Sequence, residues 1–228
     1  MRKFSPAAAE NALARQPWDL LRPLLDGVSE DPAKTLDQLR HYARLLFDWN
    51  RGVSNLVSHN DEPRLVERHL FESLAPARFL KASGCERFVD FGSGAGLPAV
   101  PLAIAGIGSA WTLVESRRNK TLFVRKVKQD LELKHLDVLT GRLEMVVEEN
   151  LEALACDGFT SRATMTIAPT LMLAKDIVRP GGRAFLWKGS RYIVEMREEP
   201  EAWGEFWDFE AAHEITEGLN VCAVFVRK

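Results

Sequence analysis

Residues 86–102, ERFVDFGSGAGLPAVPL, decide the fold of this chain. The apolar residues Phe88, Val89 and Phe91 predict a buried strand, interrupted by Asp90 and ended by Gly92. Gly92, Gly94 and Gly96 follow at alternate positions, and the apolar run from Leu97 through Ile104 predicts a buried helix. Glycines at a strand-to-helix turn let the backbone bend sharply and approach a ligand that a Cβ would push away. The helix that follows presents unpaired N–H groups at the same point, so the turn is a natural ligand cradle. Pro98 and Pro101 agree with a first helical turn, where missing N–H groups cost nothing. The dinucleotide-binding pattern G-x-G-x-x-G does not fit, because Leu97 stands where its third glycine belongs.

Outward from this stretch the chain alternates. Strands are predicted at 87–91, 110–115, 136–140, 158–161 and 183–188, and helices at 97–105, 117–133, 143–154, 166–178 and 190–199. Strand and helix in turn imply a parallel sheet covered on both faces. The end departs from that rhythm: residues 203–214 and 220–226 are joined by EGLN with no helix between, which predicts an antiparallel hairpin. The first 85 residues predict helices instead. One is expected over 6–28, with Ala7–Ala9, Leu13, Trp18, Leu21, Leu24 and Leu25 on a face broken at Pro17. A second over 33–50 repeats Leu36, Leu39, Tyr42, Ala43, Leu46 and Phe47 at three- and four-residue steps. After the polar connection 50–62, a third carries Leu65, Val66, His69, Leu70 and Leu74 and ends near Pro76. The chain is thus read as a helical extension, 1–85, before an α/β core, 86–228.

With 228 residues, 46% apolar and 27% charged, the composition is that of a soluble globular protein. No stretch is long and apolar enough to span a bilayer, and the start, MRKFSPAAAENALARQPWD, lacks the apolar core of a secretory signal. Cys85, Cys156 and Cys222 are odd in number and far apart, which matches neither a disulfide framework nor a zinc site and suits the reducing cytoplasm. A net charge of −2 means that any nucleic-acid role rests on local patches.

The acid just before the glycine loop, Asp90, and the acid ending the next strand, Glu115 in WTLVES, make the core resemble the class I S-adenosylmethionine-dependent methyltransferases. In that fold the loop backbone, here Gly92 and Gly94, passes the methionine end of the cofactor, and the second acid takes the ribose hydroxyls. A parallel sheet closed by an antiparallel hairpin belongs to the same resemblance. More specifically, the blocks LLFDWNRGVSNLVS (45–58), LVERHLFESL (65–74), FVDFGSGAGLPAVPLAI (88–104), LVESRRNKTLFVRKV (113–127), GRLE (141–144), SRATMTIAPTLMLA (161–174) and RPGGRAFLWKG (179–189) resemble one bacterial family. It is the glucose-inhibited division protein B family of 16S ribosomal RNA guanine-N7 methyltransferases. Two departures lie in the extension: the Trp-Asn…Asn-Leu spacing is one residue longer, and Glu72-Ser73 replaces the usual Asp-Ser. The resemblance carries cofactor contacts onto Gly92, Leu97, Leu143, Glu144 and Arg162. Leu97 would wall the methionine pocket, while Leu143 and Glu144 follow strand three, where this fold lays an adenine. Glu144 also reads as a carboxylate favoured by a helix N-terminus. Arg162 also reads as a structural arginine paired with an acid, Asp90 or Glu144.

Guanine N7 has an in-plane lone pair and no hydrogen, so its attack on a sulfonium methyl needs no general base. Alignment of N7, methyl carbon and sulfur is what the enzyme supplies, and no catalytic acid or base is assigned. An arginine fork onto O6 and N7 together would block the reacting atom, so Arg162 is confined to O6 or to phosphate. Residues 117–128 hold six basic residues and no acid. Arg117, Arg118, Arg125 and Lys128 share a face about 100° wide, either a phosphate track or a solvated surface. Lys120 falls within the apolar arc instead, its ammonium expected towards the cofactor edge and Glu115. Lys188 ends strand five on the same edge as Gly92 and Arg162; it is read as substrate-facing, against a surface salt bridge. Arg118, Lys120 and Lys188 are thus the expected RNA-side residues. The expected protein is a cytoplasmic, monomeric, metal-free methyltransferase acting on 16S rRNA, within the small subunit or an assembly intermediate. The alternatives are a small-molecule or protein methyltransferase on the same core, and an inactive cofactor-binding assembly factor.

Overall fold

A computed structural model describes residues 6–58 and 60–228, with side chains from residue 10 onward. The apolar face predicted for Ala7–Ala9 and the start of the chain, residues 1–5, lie outside the described side chains. Seven strands form one sheet in the order β3-β2-β1-β4-β5-β7-β6: β1 (Arg87–Phe91), β2 (Ala110–Glu115), β3 (Leu136–Thr140), β4 (Cys156–Arg162), β5 (Val178–Gly189), β6 (Trp207–Thr216) and β7 (Asn220–Arg227). The first five are parallel, and β7 runs antiparallel between β5 and β6. Both parts of the predicted sheet, parallel core and closing hairpin, are present.

Side chains alternate across the sheet because successive strand residues point to opposite faces. Phe88, Leu113 and Phe185 belong to one apolar cluster, whereas Val89, Val114 and Leu186 belong to the other. On the second face lie α8 (Leu143–Asn150), α9 (Ile167–Ala174), the short α10 (Tyr192–Arg197) and α11 (Pro200–Gly204), represented in the cluster by Val146, Leu171 and Trp203. The first face is covered by α6 (Ala99–Ile104) and α7 (Arg118–Asp130), and its cluster runs on into the extension through Leu39, Tyr42, Leu46, Phe47, Leu70 and Leu74. The helices that precede β1 therefore share a core with the sheet among the described residues.

The longest helix of the extension, α3 (Pro32–Gly52), starts where Asp31 accepts the Lys34 backbone N–H at 3.0 Å, with Pro32 at its first position. Before it, the predicted helix over 6–28 is three pieces: α1 (Pro6–Ala14), a 3₁₀ turn (Trp18–Leu21) and α2 (Arg22–Leu25). Pro17 removes a backbone donor and Pro23 restarts the helix. The third helix is likewise divided. Leu65–Leu70 is one π turn, closed by Phe71 N–H on Val66 O, and continues as α4 (Phe71–Leu74). Beyond Pro76 lies α5 (Ala77–Ala82), which the sequence reading omitted; Pro76 begins it, with its carbonyl accepting from Phe79 and Leu80. Trp203, predicted to open the hairpin, sits in α11 because Pro200 starts a helical turn, and the strand begins at Trp207. Helices predicted at 117–133 and 166–178 end sooner, at Asp130 and Ala174; the second must, since β5 already starts at Val178. No helix among the described residues is long and apolar enough to cross a membrane.

Candidate active site

Strand order reverses between β1 and β4, and in open parallel sheets ligands bind at the carboxyl ends of the strands at such a reversal. The glycine turn occupies this point. Gly92, Gly94 and Gly96 have φ of +69°, +57° and +86°, values that a Cβ penalises. A Cβ on Gly92 would stand 2.5 Å from Thr164 Cγ2, and one on Gly96 2.5 Å from Val100 Cγ2. Gly94 has more room, the nearest atom to its would-be Cβ being Lys120 Nζ at 3.7 Å. The turn is held from two sides. Gly92 N–H donates to Val114 O at 2.9 Å, and the buried Tyr42 hydroxyl of α3 donates to Ala95 O at 2.7 Å.

Two buried acids flank the turn. Glu115 Oε2 accepts the Gly94 N–H at 2.9 Å, while Oε1 accepts the Arg117 N–H at 2.8 Å and the Ser116 hydroxyl at 3.3 Å, so Oε2 keeps a lone pair. Asp90 is fully buried; Oδ1 accepts from Thr160 Oγ1 at 2.6 Å, and Oδ2 has no partner. Burial pushes this carboxyl up to about 7.

In front of the turn a cleft of about 480 Å³ opens, lined in part by Gly92, Gly94, Leu97, Lys120, Arg162 and Lys188. Six of the ten residues predicted for the site thus meet in one place. The other four do not line it. Glu115 lies behind the turn through its Gly94 bond; Leu143 is buried under α8; Glu144 and Arg118 are exposed at the starts of α8 and α7. Glu115 and Thr140 are register partners in β2 and β3, so Leu143 and Glu144 follow on the same sheet edge.

Arg162 is bound to the extension rather than to Asp90 or Glu144. Its Nη2 donates to Glu72 Oε2 at 2.6 Å and meets His69 Nδ1 at 3.3 Å, while Nη1 donates to His69 O at 3.2 Å and Ser73 Oγ at 3.3 Å. These contacts use four of its five N–H groups. The other Glu72 oxygen accepts from Asn220 of β7 at 3.1 Å, and Trp187 Nε1 donates to Glu72 O at 2.7 Å. Burial raises the Glu72 carboxyl and lowers Arg162, in both cases more than their mutual attraction does the reverse. His69, held neutral by burial and by the Arg162 charge, is lowered to about 4. The π turn, a feature frequent at functional sites, carries Arg68 and His69 to the cleft, and α4 after it carries Glu72.

Lys188 is also occupied: its ammonium donates to Met165 O at 2.5 Å and to Glu195 at 2.9 Å. Lys120 Nζ stands by the glycine turn, 3.7 Å from where a Cβ on Gly94 would be, and makes no ion pair with Glu115. On α7, Arg125 donates to Val138 O and Lys128 pairs with Asp137, which ties half of the predicted basic face to β3. Trp49 packs against Phe123. Sequence reasoning left His69 unassigned and omitted Glu72, Asn220 and Leu56–Ser58 from the site. Asn50 shapes that last segment, accepting from Leu56 and Val57 and donating to Val57 O and Glu62. The polar, asparagine-bearing connection was the signal available for it.

This strand order, glycine turn and pair of acids define the class I S-adenosylmethionine-dependent methyltransferase fold. Solved structures agree at that level. An O-methyltransferase from Bacillus cereus in complex with S-adenosylhomocysteine superposes with a TM-score of 0.59, covering 84% of this chain and 91% of that one at 16% identity. Aeropyrum pernix fibrillarin with natively bound S-adenosyl-L-methionine gives 0.55, covering 69% and 76% at 16% identity. Residues 35–210 match the model of the GidB family, rRNA small subunit methyltransferase G. The Ribosomal RNA small subunit methyltransferase G of Halorhodospira halophila is 31% identical over 195 residues, 86% of this chain and 89% of the relative. That of Xanthomonas oryzae pv. oryzae is 37% identical over 179 residues, 78% and 80% of the two chains. The chain belongs to this family.

Proposed function

We propose that the chain transfers a methyl group from S-adenosylmethionine to N7 of a guanine in 16S rRNA, in the small ribosomal subunit or an assembly intermediate. The observation that carries this reading is the glycine-walled cleft at the strand reversal, in a chain matching the rRNA small subunit methyltransferase G family over most of its length. The cofactor fits the residues present. The glycine turn offers a backbone that side chains would obstruct, Glu115 Oε2 keeps a lone pair beyond its Gly94 bond, and Asp90 Oδ2 is a buried polar atom without a partner. When bound, the cofactor supplies an electrophilic sulfonium methyl.

The chain's own contribution is positioning. Gly92, Gly94 and Leu97 would hold the methionine end, Glu115 the ribose, and Leu143 with Glu144 the adenine. Arg162 walls the acceptor side; the Glu72–Asn220–His69 network fixes its guanidinium and leaves Nε–H for guanine O6 or a phosphate. Arg118 would meet the RNA backbone. No residue need take a proton from N7, which carries none. The helices before β1 serve as an extension closing the cleft over the sheet, through Leu56–Ser58, Arg68, His69 and Glu72, and the protein acts as a cytoplasmic monomer. The test is nucleoside analysis of 16S rRNA after incubation with enzyme and labelled cofactor. Label is expected in 7-methylguanosine; label in any other nucleoside, or in none, overturns the assignment.

A further inference from the structure

Four cations line the cleft: Arg68, Lys120, Arg162 and Lys188. Arg68 pairs with Asp61 at 3.0 Å, Arg162 with Glu72 at 2.6 Å and Lys188 with Glu195 at 2.9 Å. Of the four, the Lys120 ammonium alone has no hydrogen bond or ion pair among the described residues. Its position is not that of an idle surface lysine. It is half-buried in the first turn of α7, where the helix dipole disfavours a cation, beside the buried Thr121, Phe123 and Val124. Its ammonium stands 3.7 Å from where a Cβ on Gly94 would be, at the turn whose approach to the ligand the glycines permit.

We propose that Lys120 is the counter-ion of the methionine carboxylate of S-adenosylmethionine. The inference rests on the cofactor reading above and adds a role for a residue that reading leaves unpaired. The cofactor's methionine end carries two cationic groups, ammonium and sulfonium, and one anion, the carboxylate. The carbonyl oxygens of the glycine turn suit the cations, so the carboxylate needs a donor of its own. The charges of Arg162, Lys188 and Arg68 are each already offset by a carboxylate, whereas Lys120 gives up only water. An RNA phosphate is the competing partner. It is disfavoured because the ammonium sits against the glycine turn itself, the part of the cleft that the fold gives to the cofactor.

The experiment is calorimetric titration, without RNA, of wild type, Lys120→Met and Lys120→Arg with S-adenosylhomocysteine and with its decarboxylated analogue, S-adenosyl-3-thiopropylamine. Wild type should prefer the carboxylate-bearing ligand by roughly ten- to a hundredfold, the range of a charge-assisted hydrogen bond. Lys120→Met should bind the two within about threefold of each other, through weaker binding of S-adenosylhomocysteine alone, and Lys120→Arg should restore most of the preference. The proposal falls if Lys120→Met keeps the wild-type preference, or weakens both ligands equally. It falls also if cofactor binding is untouched and only RNA affinity drops, which would assign Lys120 to phosphate. Failure of the cofactor reading is a separate result, namely wild type binding neither ligand.

Discussion

Replacing Glu72 by Gln removes one charge from a pair that joins the extension to the sheet. The two side chains are each 13% exposed, and Glu72 also accepts from Asn220. Burial dominates the shifts of both partners, so removal from water outweighs their attraction. Such a pair contributes little net stability when intact, yet breaking it strands a buried charge at a cost of about 3–5 kcal/mol. The substituted side chain would keep an amide oxygen for Arg162, which puts Glu72→Gln near the lower end, about 3 kcal/mol. For a chain of this size that lowers Tm by about 6–12 °C. The double variant Glu72→Met, Arg162→Met should lose less than Glu72→Gln does, because no charge remains to be stranded. Urea and thermal unfolding of wild type, Glu72→Gln, the two single Met variants and the double variant measure this directly. A double variant as unstable as the sum of its singles would refute the reasoning.

Asp90 gives a pH prediction. Its carboxyl is raised from 3.8 to about 7 by burial, so between those values the folded chain holds a proton that the unfolded chain has released. Stability from this group is therefore present at low pH and is lost as pH rises through 7, by up to about 4 kcal/mol. Asp90→Asn lacks the titration, so its stability relative to wild type should rise by about that amount from about pH 4 to 8; a pH-independent difference would contradict it. The glycines separate folding from binding. Gly96→Ala should destabilise by about 2–4 kcal/mol, combining positive φ with overpacking against Val100, whereas Gly94→Ala should cost only about 1–2 kcal/mol and show its main loss in S-adenosylhomocysteine titration. Arg118→Ala should weaken RNA binding uniformly and reduce the slope of log affinity against log salt by about one, leaving cofactor affinity unchanged.

Much of this molecule was legible in its sequence, and the reason is local. The glycine turn, the strand-helix alternation and the closing hairpin each depend on residues within a few positions of one another, and Gly92, Gly94 and Gly96 make the sharp turn expected of them, at positive φ. Lys120 was singled out because it broke the apolar side of its own helix. What stayed hidden depends on distance in the chain. Arg162 was expected to pair with Asp90 or Glu144, but its partner is Glu72, with Asn220 bonded to the same carboxylate. No periodicity announces a contact between positions 72, 162 and 220. Lys188 was read from the end of its strand, and only the placement of α10 shows its ammonium held by Glu195. The π turn is equally silent in composition, since Leu65–Leu70 keeps an ordinary helical apolar pattern.

The most direct test of the central claim is methyl transfer to small ribosomal subunits from cells lacking this protein, with naked 16S rRNA and a no-RNA control beside them and chain cleavage at 7-methylguanosine as the readout. One new cleavage site in 16S rRNA, dependent on both enzyme and S-adenosylmethionine, is the expected result. No new site on either substrate, from protein that binds S-adenosylhomocysteine normally, would leave the fold standing and contradict the assigned reaction.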